Sequence, residues 1–491
     1  MSEKIHSVKY NFIMNFILTA TQFIFPLITF PYVARVLLPA GNGRVSFAAS
    51  IANYFLMVAS LGIPTYGIRA CAVVRDDKEK LSKTVQEIFI INLVSTILVS
   101  IAYFVSILII PRFTEDRVLY IINSFNIVLS FIGMNWVFQA LEQYDYITFR
   151  SIAFKIISVV LMFVFVHKES DYAVYSAITV FAAVGSNLFN FYRITKIISF
   201  KKFSDYDFKK HLKPIFILFA QSLAISIYTN LDTVMLGFLN SDVEVGYYDA
   251  SVKIKNILVM LATSLGSVLL PRMSYYYKNN NREKFMDTMA KALNFTTMIS
   301  IPLVVFFIIF AKEGILFIAD GGYINAVPVL RIVVISIIPI GITGVLGVQV
   351  LTPMEKEKFV LYSVIAGAIS DFVLNLFFIR QYGAVGAAFA TTVAEMAVLF
   401  FQAYCLRGML MPLFNKLRST VYLLTSCFCA IVVIFLKGRF TLPLFFELLI
   451  NAIVFFSLYG IGLLVFREEL LLQIIDELKE KVQNVLKNKN E

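Results

Sequence analysis

Fourteen apolar runs constrain this chain more than any other feature. A helix needs about 20 such residues to cross the hydrocarbon core of a bilayer. Runs of that order fall at approximately 11–30, 45–64, 88–110, 118–138, 151–167, 173–192, 214–239, 248–270, 293–311, 327–350, 359–379, 384–406, 419–436 and 443–466. No water is available at that depth to satisfy the backbone, so such segments are helices. Composition agrees: hydrophobic residues make up 59%, charged residues 15%, and the mean hydropathy is +0.79, where a soluble domain carries roughly 25% charge. The expectation is an all-α integral membrane protein with fourteen transmembrane helices.

The net charge of +11 would suit a nucleic-acid partner, but its distribution argues against one. The basic residues sit in short clusters between the apolar runs, which is a topology signal. With the N-terminus in the cytoplasm, 30 of the 43 Lys and Arg fall in cytoplasmic segments, nine in outer loops and four within spans. Both termini are therefore expected in the cytoplasm. The run from Tyr10 has no small-residue cleavage site after it, so it reads as a retained first span. The four cysteines show no disulfide or metal spacing, and His6, His167 and His211 read as loop or terminal residues. No cofactor or metal is expected.

A shift of 203 residues lays span two on span eight, pairing Gly43, Ile51, Asn53, Met57, Ala59 and Arg69 with Gly246, Ile254, Asn256, Met260, Ala262 and Arg272. A shift of 210 pairs Tyr172 and Ala177 with Tyr382 and Ala387. The repeat is thus six spans, and an even number gives two copies in the same orientation about an axis along the membrane normal. The expected organisation is a lobe over 1–192, a basic cytoplasmic linker over 193–213 and a second lobe over 214–406. Spans thirteen and fourteen follow within 407–466, then a tail over 467–491. The linker either hinges the lobes or lies on anionic headgroups. In the tail, Leu471, Ile474, Ile475, Leu478, Val482, Val485 and Leu486 recur at helical spacing, which suits an interfacial amphipathic helix or one that binds a partner.

Polar and charged side chains inside the spans are the candidate functional groups. Asn11, Asn15, Thr19, Gln22 and Thr29 follow one face of span one, and Ser222, Ser226, Thr229 and Thr233 one face of span seven. Such stripes serve helix packing or line a cavity. A charge at mid-bilayer costs about 2.5–3.5 kcal/mol on insertion scales. Asp249 and Lys253, four apart on span eight, either neutralise each other or face water. Together with Arg35, Asp232 and Arg331 they are expected in the outer half, where a cationic cavity would suit a phosphate or pyrophosphate. Arg69 and Arg272, related by the repeat, end spans two and eight. They either grip a diphosphate bidentately or simply follow the positive-inside rule. Asp371 with Asn375, and Glu395, are candidate ion or proton sites. Glu142 reads as a solvated loop acid.

Several landmarks occur in a particular order: Pro26-Leu-Ile-Thr-Phe-Pro-Tyr-Val-Ala-Arg35, Gly43, Ser46-Phe-Ala, Leu61-Gly62, Tyr66-Gly67, Arg69 and Val74-Arg75-Asp76. Asp232-Thr-Val-Met-Leu-Gly237, Val245-Gly246-Tyr-Tyr, Pro271-Arg272-Met-Ser and Tyr382-Gly-Ala-Val-Gly-Ala-Ala follow. This order resembles that of Wzx-type polysaccharide repeat-unit flippases of the multidrug/oligosaccharidyl-lipid/polysaccharide exporter superfamily. One departure is Leu38-Pro39-Ala40, where that family usually has Leu-Gly-Pro. The resemblance implies a MATE-like fold and an undecaprenyl-pyrophosphate-linked oligosaccharide moved from inner to outer leaflet for capsule or O-antigen synthesis. It also implies coupling to a proton or sodium gradient, with Arg35, Asp232 and Arg272 carried over as cavity residues. Membrane lipids, and other polysaccharide-assembly membrane proteins, are the further partners expected.

Two related readings remain open, a peptidoglycan-precursor flippase and a drug/cation antiporter. A membrane glycan polymerase is the reading from another class. It would need a sizeable outer loop, and no outer loop here exceeds about 15 residues. There is also no phosphate-binding Gly-Lys-Ser/Thr loop, hence no ATPase. A transporter, not an enzyme, is the expectation.

Overall fold

The computed structural model describes residues 7–264, 266–437, 443–472 and 479. Among them every regular element is helical and no strand occurs. The chain divides into two compact units, Met1–Asp249 and Ala250–Glu491.

In the first unit α1 runs over Val8–Ser60, α2 over Ile63–Val73 and α3 over Lys78–Ile109. The short α4 (Pro111–Glu115) leads into α5 (Arg117–Gly133) and α6 (Asn135–Ala140). Then come α7 (Tyr144–Phe165), α8 (Tyr172–Val180), α9 (Asn187–Ile197) and α10 (Lys209–Leu239). A π-helical stretch, Phe181–Gly185, joins α8 to α9. The next helix, α11 (Asp242–Thr263), begins in this unit and ends in the second.

At 53 residues, α1 is far longer than one span needs, and it turns at Leu38, where φ is 58° and ψ 178°. Pro39, which cannot donate to the preceding turn, sits just beyond it. Spans one and two therefore share one element with a sharp corner. On α3 the helix starts ten residues before the apolar run, because Asp77 caps it by accepting from the amides of Glu79 and Lys80 at 3.1 Å. One core of this unit gathers Trp136, Val137 and Phe138 with Ile63, Cys71, Val85, Ile88 and Ile215. The chain's single Trp packs flat on Gly67, where an added methyl would lie 2.5 Å from the indole.

The second unit contains α12 (Gly266–Lys278), α13 (Arg282–Ile309), α14 (Ala311–Ile318), α15 (Ala326–Val333) and α16 (Ile337–Thr343). After a π-helical stretch at Gly344–Leu351 come α17 (Glu357–Cys405), α18 (Arg407–Leu410), α19 (Ser419–Leu436) and α20 (Leu444–Val465). Like α1, α17 is two spans joined at a corner. Gly383 adopts φ 54°, ψ −130°, a region open to glycine and costly for other residues. Phe306, Phe310, Tyr422, Val433 and Phe455 form one core here, tying α19 and α20 to α13.

Among the described residues, ten helical segments are long and apolar enough to cross a membrane. The two cornered segments each have the length of two spans. Residues such as Leu98, Leu108, Phe428, Phe435 and Val465 are exposed on these helices, as a lipid-facing surface requires and a water-facing one would not tolerate. This is a multi-pass membrane protein. Of the expected amphipathic tail only Arg467–Leu472 and Lys479 are described; the rest lies outside the described residues.

Candidate functional site

The first unit holds two ionic clusters, one beside the Leu38 corner and one at the start of α10. At the corner, α1 crosses the first turns of α11 through two glycines. A methyl on Gly43 would lie 1.7 Å from the carbonyl oxygen of Asp242, and one on Gly246 would lie 2.1 Å from that of Pro39. Backbone touches backbone here, which only glycine permits. The two contacts are equivalent under the 203-residue shift, which carries Pro39 to 242 and Gly43 to 246.

Charges ring this crossing. Arg112 donates to Asp242, and the Arg44 guanidinium lies 3.4 Å from the same carboxylate and 3.8 Å from that of Asp116. The Tyr172 hydroxyl donates to Asp116 at 2.8 Å. Close by, the Asn42 amide donates to Asp249 at 2.9 Å, and Tyr248 donates to the buried Asp232. An open cleft of about 530 Å³ flanks the cluster, lined by Ala40, Gly41, Arg44, Lys168, Glu169, Ser170 and Tyr172.

At the start of α10, Glu87 is fully buried and its carboxylate takes three contacts in a small space. The amide of Asp207 donates at 2.7 Å, the Lys210 ammonium lies at 2.8 Å, and His211 Nε2 lies at 2.8 Å. The other ring nitrogen of His211 is 2.7 Å from the Tyr66 hydroxyl. The preceding linker is strapped to α3. Gln86 donates to the carbonyls of Ser199 and Lys201 at 2.6 and 3.2 Å and accepts from Tyr206 at 2.6 Å. The Lys83 ammonium, 2.6 Å from Asp205, holds that carboxyl below the usual carboxylate range.

The sequence candidates fall into distinct surroundings. Arg35 and Arg69 are exposed on α1 and α2; in the second unit Arg272 and Arg331 are exposed on α12 and α15. Arg331 Nε donates to the Ile308 carbonyl at 3.2 Å. Lys253 is half-buried on α11. Asp371 and Glu395 are buried on α17. On the polar stripe of span one, Asn15, Thr19 and Gln22 are exposed while Asn11 and Thr29 are buried. The hydroxyls of Thr19 and Thr29 bond carbonyls one turn back on their own helix. Among the described residues no group of three His, Cys, Asp or Glu is placed to hold a metal.

Two sequence readings are corrected. Glu142 is a loop acid but a half-buried, paired one: Arg75 donates to it at 2.6 Å and Asn11 at 3.2 Å. His211 is no loop residue but a buried member of the first turn of α10. Sequence reasoning also passed over Arg44, Arg112, Asp116 and Asp242, and the buried Glu468, which takes the Tyr422 hydroxyl at 2.9 Å and Arg418 at 3.4 Å. The one signal for the corner cluster was the position of Arg44 and Asp242 beside the repeated glycines.

A family profile described as "Polysaccharide biosynthesis protein" matches residues 8–277, and one described as "MatE" matches residues 218–377. A "Putative O-antigen transporter" of Escherichia coli (strain K12) is 27% identical over 371 residues, 74% of this chain and 88% of that one. A second protein of that name, from Shigella dysenteriae, is 23% identical over 406 residues, 80% of this chain and 98% of its own. Among solved structures, "Lipid II flippase MurJ, inward closed conformation" superposes with a TM-score of 0.75 at 18% identity, covering 94% of this chain and 99% of that one. An inward-facing MATE family transporter of the MOP superfamily superposes with a TM-score of 0.62 at 12% identity, covering 80% and 96%. At these identities the structural likeness establishes the fold.

Proposed function

We propose, from the premise that this chain belongs to the polysaccharide biosynthesis protein family, that it is a flippase for lipid-linked oligosaccharide repeat units. It carries them from the inner to the outer leaflet of a bacterial plasma membrane, with both termini cytoplasmic, for capsule or O-antigen synthesis. The family match is supported by relatives named as O-antigen transporters over most of their length.

The observation that carries a transport mechanism is the glycine crossing ringed by Arg44, Arg112, Asp116 and Asp242. A packed apolar core separates only at large cost, whereas partly hydrated ion pairs exchange for water at little cost. That chemistry suits a closure that opens and shuts. In this reading the Leu38 corner lies outside and the linker inside. The polar, exposed Asn15, Thr19 and Gln22 face an aqueous path between those ends.

Arg35, Arg69, Lys253, Arg272 and Arg331 take the anionic pyrophosphate head group while the prenyl tail stays in lipid. Asp232, Asp249, Asp371 and Glu395 take the coupling proton or sodium ion. No covalent bond is made or broken, so the protein is a transporter and not an enzyme. Other polysaccharide-assembly proteins of the membrane supply and consume its cargo.

The likeness to the MurJ structure favours one second reading, a flippase for the peptidoglycan precursor. Leaflet-resolved accumulation of lipid-linked intermediates in cells lacking this protein separates the two. The expected result is inner-leaflet accumulation of the oligosaccharide repeat unit, cured by wild type and not by Arg35→Ala, Lys253→Ala or Arg272→Ala at equal membrane levels. Accumulation of the peptidoglycan precursor instead would move the second reading ahead. Repeat units reaching the outer leaflet without this protein would refute both.

A further inference from the structure

We propose that His211, held between Tyr66 and Glu87, is a proton-binding site whose occupancy sets how tightly the start of α10 is tied to α2 and α3. The proposal rests on the flippase reading for its purpose, as a coupling site beyond the acids named above, but not for its chemistry.

Three helices meet at this ring. Tyr66 comes from α2, Glu87 from α3, and His211 from the first turn of α10; His211 and Glu87 are 2% and 0% exposed. With the imidazole neutral, the contacts form one consistent set. Nε2–H donates to Glu87, and the Tyr66 hydroxyl donates to Nδ1. Adding a proton from water makes Nδ1 a donor too, so Tyr66 must turn its hydrogen away and accept.

Protonation also places two cations on one carboxylate oxygen. Lys210 and His211 each lie 2.8 Å from Oε2 of Glu87. The two repel, and they differ in what they can do about it. The Lys210 side chain is 44% exposed and can withdraw into water, whereas His211 is enclosed. Proton uptake therefore exchanges the counter-ion of Glu87 from Lys210 to His211. The existing His211–Glu87 hydrogen bond then joins a cation to an anion, drawing the first turn of α10 onto α3.

Two influences oppose each other at the imidazole. The helix N-terminus and Lys210 disfavour a positive charge in this turn, and Glu87 favours one. The remaining charged or titratable groups nearby are Cys71 on α2, Lys83 on α3, and Asp205 and Asp207 in the linker.

The test uses the full-length protein in lipid nanodiscs, with spin labels at Val73→Cys and Lys209→Cys and with Cys405, Cys427 and Cys429 replaced by Ser. The expected result is a Val73–Lys209 distance shorter at about pH 5 than at about pH 8, by about 1.5 Å or more, one residue's rise along a helix. His211→Gln keeps a neutral hydrogen-bonding side chain and should remove the response. Should that variant fail to fold, ring-nitrogen NMR of His211 in a protein carrying His6→Gln and His167→Gln reads the titration directly. A distance that is the same at both pH values, a response that survives His211→Gln, or a ring resonance that does not move between them overturns the proposal. Flipping without any pH response of the distance would sink the switch and leave the flippase. A response in a protein that moves no lipid-linked oligosaccharide would sink the flippase and leave the switch.

Discussion

Adding one methyl group at Gly43 should force open the crossing at the Leu38 corner. The new Cβ would sit 1.7 Å from the Asp242 carbonyl oxygen, about 1.6 Å inside the closest ordinary C···O contact of about 3.3 Å. Neither partner is a flexible side chain, so the two backbones must part by roughly that amount. The Arg44–Asp242 contact, now 3.4 Å, would then lengthen to about 5 Å, beyond the reach of an ion pair at about 4 Å. Overpacking of this kind costs about 1–3 kcal/mol. A value of about 2 kcal/mol shifts an equilibrium between touching and parted helices about 30-fold.

The assay is the reactivity of a thiol placed at the buried Val45, as Val45→Cys, toward a membrane-impermeant maleimide, with Cys405 and Cys427 replaced by Ser. Gly43→Ala should raise the labelling rate about tenfold or more. Gly246→Ala should do the same, because its methyl would meet the Pro39 carbonyl at 2.1 Å. Since one separation relieves both clashes, the double variant should gain far less than the sum of the singles. Unchanged labelling in either single variant would refute the reasoning. So would an additive double variant, because the two contacts would then be independent.

Three further outcomes are expected. Asp242→Asn leaves Arg44 and Arg112 without their shared carboxylate and should loosen the same crossing by about 1–2 kcal/mol, read as faster labelling at Val45→Cys. Leu38→Gly removes a side chain from a backbone region that costs a non-glycine residue about 1–3 kcal/mol. Against the entropy glycine loses on folding, the thermal midpoint should hold or rise, and a clear fall would show that the corner is not strained. Glu468→Ala strands the fully buried Tyr422 hydroxyl and takes one carboxylate from Arg418, so the midpoint should drop by the equivalent of about 1–3 kcal/mol. Tyr422→Phe in the Glu468→Ala background should recover part of that loss.

Hydropathy made much of the fold legible because lipid imposes one requirement on every spanning residue. The run at 419–436 and the helix Ser419–Leu436 coincide. Boundaries drifted where the helix continues into water. The apolar run at 88–110 begins late because Lys78–Glu87 are part of α3 yet mostly polar, and the run at 293–311 misses the first turns of α13, which begins at Arg282. The ionic partnerships were not legible. Glu87 and His211 lie 124 residues apart in sequence, and a charge buried against another charge has the same composition as a charge in a loop. His211 was hidden by its neighbours, since Lys209, Lys210 and Lys213 made the whole stretch look solvated. Arg35 and Arg69 are visible because each is a charge set beside an apolar run in the sequence, and single positions of that kind are what a reading of one chain can find.

The glycine crossing has a consequence for how such a chain could arise. A contact in which position 39 meets position 246, and its counterpart 242 meets 43, is self-complementary. It has the form of an interface between two identical subunits about a two-fold axis. A single six-span ancestor would have made this contact with its own copy, and any substitution there would have appeared twice. Two halves carried on one chain are free of that constraint. One side can keep a proline at position 39 while the other carries Asp242, with Arg44 and Arg112 beside it. Charge at this crossing is therefore asymmetric, with Asp242 standing where the equivalent position holds Pro39, an arrangement that two identical subunits could not sustain.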